Sequence, residues 1–266
     1  MSVQILTELK PAEAYLILEH KKATFKELLR YTHIDLVVRS VLAMEVRSIE
    51  DGAGGEEAAF VSRGPAYPGY EPSLYEKVFI TPFREDGEME YTLSSLVRIA
   101  YENGKSLGSF VHSRMLHHPI LSISFKQGAW QKITRKIQLN EYGQGQKQKL
   151  EAALNYLAHS LPANLDEHPE AVTQLLQRIG GNLYLLEKYD QAAFQKLMDT
   201  FSTVDQEYFR SMRKGGSAFL YVDSASYGAM DEDFSSGYDA VDGSGPGFGS
   251  GCSGDSGCSG CSGCGG

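Results

Sequence analysis

The last 24 residues, 243–266, set the first limit on the fold. They carry no aliphatic side chain and consist mainly of glycine and serine around Cys252, Cys258, Cys261 and Cys264. A segment of this composition cannot bury enough apolar surface to offset the entropy of ordering it. The core must therefore be complete before it begins. The segment also holds every cysteine of the chain, so the first 251 residues fold without a disulfide framework, and the expected location is cytoplasmic. With 42% hydrophobic residues among 266, the remainder has material for one large domain or two to three small ones.

Charge is spread unevenly over that length. Beyond Lys214 there is no Lys or Arg, while Asp223, Asp231, Glu232, Asp233, Asp239, Asp242 and Asp255 account for seven of the 34 acidic residues. The body up to Lys214 then holds 25 positive charges against 27 negative. That near balance lacks the basic excess of a nucleic-acid-binding surface. The acidic end reads as a solvated tether. No run of about 18 apolar residues occurs, so no membrane span is expected. The N-terminus lacks the basic start and small-residue cleavage site of a signal peptide.

Local signals place the elements. Pro11 opens a short helix carrying Ala14, Leu16, Ile17 and Leu18. Thr24 and Glu27 form a capping-box pair ahead of Phe25, Leu28 and Leu29. Thr32 is expected to cap a separate third helix over 33–41. A strand over 42–49, a turn rich in glycine at 51–55 and a strand over 58–63 follow. Three helices closed by a β-hairpin is the winged-helix plan. Pro65, Pro68 and Pro72 mark a linker.

The order then repeats at a spacing of roughly 65 residues. A helix starts at Pro72, with Pro82 positioned to shorten it; Thr92 caps a second; a third covers 107–117. Strands are expected over 120–125 and 133–139. From Gln146 the pattern is helical, ended by Pro162, restarted at Pro169 and broken at Gly180-Gly181. The fold class is therefore α+β and helix-rich. Its expected parts are winged-helix-like units at 1–64 and 73–143 joined by a 65–72 linker, a helical unit at 144–214, and an acidic, disordered tail at 215–266. Within that tail only 218–222 has strand character.

The stretch LTELKPAEAYLILEHKKATFKELLRYTHIDLVVRSVL, residues 6–42, resembles the opening of the cytosolic half of a family of uncharacterised predicted bacterial membrane proteins. The segments PSLYEKVFITPF and TLSSLV resemble that family's second unit. Many of its members end in Gly/Cys-rich tails. This chain departs from the pattern in lacking the transmembrane segments and in placing Ser40 where glycine is common. The resemblance implies no catalytic residue.

Chemistry concentrates in the tail. Cys258, Cys261 and Cys264 form a strict three-residue repeat, with Cys252 six residues earlier. C-x-x-C spacing suits Zn²⁺ or part of an iron–sulfur cluster. Gly/Ser spacers do nothing to prearrange such a site, and small flanking residues equally suit an enzyme that modifies cysteines in an extended segment. A low-complexity tail with no single chemistry is the third reading. His112, His117 and His118 cluster near a helix end, where a cation is favoured without any ligand. The acidic run around Glu85 reads as solvated surface, Trp130 as hairpin packing, and Gly180-Gly181-Asn182 as a helix break.

A DNA-binding use of the winged-helix plan fares poorly in the first unit, whose recognition helix offers Arg39 beside Asp35 and whose turn is acidic. The second hairpin is better equipped, with Lys126, Lys132, Arg135 and Lys136. No nucleophile-elbow, P-loop or zinc-protease motif occurs. The expected role is a non-enzymatic adaptor or carrier without a cofactor. Its body would dock a protein partner, for example a tail-modifying enzyme, and present the cysteines. A transcription regulator and a metal-binding protein are the alternatives.

Overall fold

The structure, a computed structural model, describes residues 3–48, 57–85, 89–126, 137–203 and 224–242. Among the described residues it is helix-rich with a small three-stranded antiparallel sheet, an α+β arrangement. The buried apolar residues from Ile5 to Phe234 form a single contiguous core.

Helix α1 (Ile5–Glu8) leads into α2 (Pro11–Glu19), with Pro11 at the first helical position. Residues 11–17 of α2 are all buried, so this helix runs through the core rather than along its surface. Helix α3 (Phe25–Val38) begins where the sequence indicates, with Thr24 Oγ1 accepting from Glu27 N at 3.2 Å. The expected break at Thr32 does not occur. Its hydroxyl donates to Leu28 O at 2.7 Å inside the helix instead of capping a new one. One helix therefore replaces two.

The end of α3 is a Schellman turn. Val41 N donates to Leu36 O at 2.9 Å and Ser40 N to Val37 O at 2.8 Å. Ser40 takes φ 57°, the left-handed conformation that glycine usually supplies there. The turn feeds the expected hairpin: β1 (Leu42–Ser48) pairs antiparallel with β2 (Glu57–Arg63), Leu42 facing Arg63. Gly64 closes the hairpin so tightly under the turn that a Cβ would stand 2.1 Å from Ser40 O.

The second half of the chain departs further from its expected elements. The helix read from Pro72 is two short ones, α4 (Lys77–Ile80) and α5 (Pro82–Glu85), divided before Pro82 as its fixed ring predicts. A two-residue strand, β3 (Tyr91–Thr92), joins the free edge of β2 and passes directly into α6 (Leu93–Gly104). Helix α7 (Leu107–Phe110) continues as a π turn, Val111–Met115.

The strand expected over 120–125 is a helix, α8 (Pro119–Ser124). Pro119 occupies its first turn, and Ser124 Oγ donates to Ile120 O at 2.6 Å. Leu121, Ser124 and Phe125 are buried while Ile123 is exposed, a helical spacing that the Ile/Ser alternation conceals. Of the second hairpin, the described residues show one antiparallel bridge, Phe125 to Leu139.

Helix α9 (Glu141–Glu167) starts earlier than expected because Asn140 Oδ1 accepts from Gly143 N at 2.9 Å, and it runs past Pro162. Then come α10 (Pro169–Ile179), a 3₁₀ segment (Gly180–Leu185), α11 (Leu186–Tyr189) and α12 (Gln191–Thr203). The disorder expected from 215 onward is corrected for α13 (Ser224–Asp242), a helix that packs on α6 and the sheet. Its Tyr227, Met230 and Phe234 join the core at a helical spacing that the surrounding glycine, serine and aspartate mask. The strand character at 218–222 lies outside the described residues. No described helix is long and apolar enough to cross a membrane.

Two glycines on the same protein should respond in opposite ways to alanine. Gly64→Ala should lower stability by about 1–3 kcal/mol, because the obstructing atom is backbone and cannot rotate away. Gly145 lies inside α9 with nothing within 4 Å of an added Cβ. Gly145→Ala should raise stability by about 0.5–1 kcal/mol. Urea unfolding midpoints of the two variants check both signs.

Candidate functional sites

Two polar constellations stand out against the apolar core, one around a cavity and one under α13. The cavity, of about 350 Å³, opens where the α1–α2 corner, the end of α3 and the junction after α10 meet. Lys10 is the residue before α2, and its ammonium reaches Glu76 Oε1 at 2.5 Å. Ser73 donates to Glu76 Oε2 from both its N and its Oγ, each at 2.7 Å. Burial disfavours the Glu76 anion, but Lys10 and Ser73 more than offset it and hold the pKa below the ordinary value.

Two buried carboxylates line the cavity itself. Glu13 is 1% exposed and accepts from Tyr75 Oη at 3.0 Å and from Lys10 N at 2.9 Å, with His118 Nε2 3.9 Å away. Asp35, 4% exposed, lies 3.4 Å from Arg39 Nε through Oδ2, yet that oxygen accepts no hydrogen bond. Burial pushes its pKa up to about 6 despite the nearby Arg39 cation. Arg39 also donates to Tyr70 Oη at 3.2 Å.

The opposite wall comes from the glycine break expected at 180–181. Gly180 ends α10 with φ 56°. A Cβ on Gly181 would stand 2.8 Å from Pro11 Cγ and 3.2 Å from Asp35 Cα, so only glycine lets the chain cross α2 and α3 here. Asn182 then donates through Nδ2 to Leu6 O at 2.8 Å and Leu9 O at 2.7 Å, which fixes its amide orientation. Its Oδ1, also buried, has no hydrogen-bond partner.

The second constellation fastens α13. Arg30 of α3 is buried, and its Nη2 donates to Glu187 Oε2 at 2.8 Å and to Tyr227 Oη. Its Nε lies 2.7 Å from Asp231 Oδ1. Tyr227 Oη in turn donates to the same Glu187 oxygen at 2.6 Å, and its ring stacks on Tyr184. Further along the helix, Asp233 Oδ2 accepts from Ala59 N at 2.6 Å, a strand donor that the short β3 leaves unpaired. Gly237 permits close approach to α6: a Cβ there would stand 2.5 Å from Ser94 O. Lys26 pairs with Asp239 at 3.2 Å at the exposed end.

Most residues that carried the sequence-level chemistry lie elsewhere. Cys252, Cys258, Cys261 and Cys264 are outside the described residues, as are Lys132, Arg135, Lys136 and Trp130. Lys126 is described, exposed, and donates its backbone N–H to Gln138 O at 2.9 Å. Among the described residues no three His, Cys, Asp or Glu side chains are grouped to hold a metal ion. His118 borders the cavity, while His117 Nε2 donates to Ser113 O at 3.1 Å on its own turn. Sequence reading missed Glu13, Arg30 and Glu76. For Glu13 the signal was a single charge within the otherwise apolar Pro11–Leu18 stretch, which a folded chain keeps only where a partner waits. No known protein family, curated protein or solved structure matches the chain.

His33, fully buried on α3 between the rings of Phe79 and Phe234, adds a titration that runs against that of Asp35. Burial lowers the His33 pKa to about 4 from 6.5. Its stability contribution is complete above pH 6.5 and is lost as pH falls toward 4. Asp35, raised from 3.8 to about 6, contributes fully below pH 3.8 and loses it as pH rises through 6. Each swing is on the order of 3 kcal/mol, so the two nearly cancel between pH 4 and 6. Denaturant melts across that range should show the Asp35→Asn variant losing stability more steeply on acidification than the wild type. The His33→Gln variant should instead gain stability relative to its own value at pH 6.5.

Proposed function

We propose that the protein is a non-enzymatic carrier or adaptor that docks a protein partner and presents Cys252, Cys258, Cys261 and Cys264 for covalent modification or anchoring. The observation that supports this reading is α13. A stretch with the composition of a tether is held on the body by Arg30, Tyr227 and Asp233, and it ends at Asp242, one residue before the Gly/Ser/Cys segment. The cysteine segment therefore starts from a fixed point on the body's surface.

The arrangement separates two tasks. The folded part supplies a recognisable surface, and the segment beyond residue 242 supplies thiols in a context that an enzyme active site accepts in extended form. Two winged-helix-like units belong to the same proposal. The first contributes the β1–β2 hairpin, and the second contributes the bridge between Phe125 and Leu139.

Intact-mass analysis of the full chain from cells that make it naturally tests the proposal. The expected result is a mass increment that maps by fragmentation to residues 243–266. A mass equal to that of the unmodified chain contradicts it.

A further inference from the structure

A second cavity, of about 500 Å³, lies between α1 and the first half of α9. Its volume is well inside the range of ligand pockets, about 300–1,000 Å³. Three side chains of α9 line it at positions i, i+4 and i+7: Tyr142, Gln146 and Lys149. Residues at these intervals share one helix face. Their groups therefore follow one another over roughly 10 Å, an aromatic ring first, an amide next and a cation last. Ile5 and Ala153, both buried, supply the apolar floor.

Among the described residues, none of these three side chains has a hydrogen-bonding, ionic or aromatic partner. Gln146 is nonetheless only 8% exposed, and its amide atoms are not sealed off from the cavity they line. An amide carries two donors and an acceptor, and burying it without partners is unfavourable. Tyr142 is 46% exposed, an open ring at one end of the cavity. Lys149 is exposed at the other end, whereas Lys147 nearby meets Glu151 at 3.7 Å. Glu8, the acid of the lining, accepts from Gln4 Nε2 at 2.7 Å on the α1 side.

We propose that this cavity binds an adenine mononucleotide, with the base on the Tyr142 ring, its edge at Gln146 and its phosphate at Lys149. A glutamine amide pairs with adenine through two hydrogen bonds, accepting from N6 and donating to N7. An open aromatic face supplies stacking for the base, and a Lys ammonium suits a phosphate. Glu8, on the opposing element, is an acceptor for ribose hydroxyls, a role that carboxylates fill in nucleotide sites. A peptide strand pairs with such an amide too, but it needs further backbone partners, and those of α9 are satisfied within the helix. Binding here uses none of residues 224–266, so it stands independently of the role proposed for the tail.

Calorimetric titration of the full chain with adenosine monophosphate tests the assignment, with inosine monophosphate and adenosine as comparison probes. Adenosine monophosphate should bind saturably with one site per chain. Inosine monophosphate, in which a carbonyl replaces the N6 donor, should bind tenfold or more weakly, and Gln146→Leu should erase that preference. Adenosine should bind several-fold more weakly than its monophosphate, and Lys149→Ala should bring the two together. Tyr142→Ala should weaken both several-fold. Tyr142 and Lys149 are exposed, so their variants keep the fold even if Gln146→Leu does not. Absence of saturable binding by adenosine monophosphate overturns the proposal. So does binding that inosine monophosphate matches, or that Tyr142→Ala or Lys149→Ala leaves unchanged.

Discussion

The guanidinium of Arg30 is the contact on which the rest of the architecture depends. It projects from α3 into a space bounded by α11 and α13 and meets Glu187, Tyr227 and Asp231 there. A buried cation without partners is among the least tolerable groups in a fold. With them it links three elements that are far apart in the sequence. Glu187 accepts from both Arg30 and Tyr227, so the carboxylate, the phenol and the guanidinium satisfy one another in a closed group. Removing the cation leaves partly exposed acids facing each other under α13. The helix then loses the polar contact that orients it, while its apolar residues remain able to slide.

Helix α3 concentrates the consequences. It is buried along nearly all of its length, and Arg30, His33 and Asp35 lie within two turns of it. Each faces a different neighbour: Arg30 the C-terminal helix, His33 the rings of Phe79 and Phe234, Asp35 the cavity. The same element therefore anchors the approach to the cysteine segment and forms the floor of the polar pocket. Its Schellman end at Ser40 and the close seat of Gly64 set the direction in which the hairpin leaves it.

Local chemistry in the sequence was legible wherever one residue settled the matter. Pro11, the Thr24 cap, the first hairpin and the break at Gly180-Gly181 are all found where their residue types place them. Elements whose identity depends on distant partners were not. Thr32 looks like a cap until Leu28 O is seen to accept its hydroxyl's hydrogen bond, and 120–125 looks like a strand until its buried positions are known. Residues 224–242 have the composition of a tether. Their few aromatics form a helical stripe only against α6 and the sheet, and Arg30, whose charge they need, precedes them by almost 200 positions. Glu13, Asp35 and Asn182 likewise become a site only when three separate helices converge.

Amide hydrogen exchange over residues 224–242 tests the docking of α13 most directly. In the intact protein these amides should be protected to the degree seen in α6, against which the helix packs, and Arg30→Ala should accelerate their exchange while leaving α6 far less affected. Exchange at the rate of an unfolded peptide in the unsubstituted chain would contradict the account.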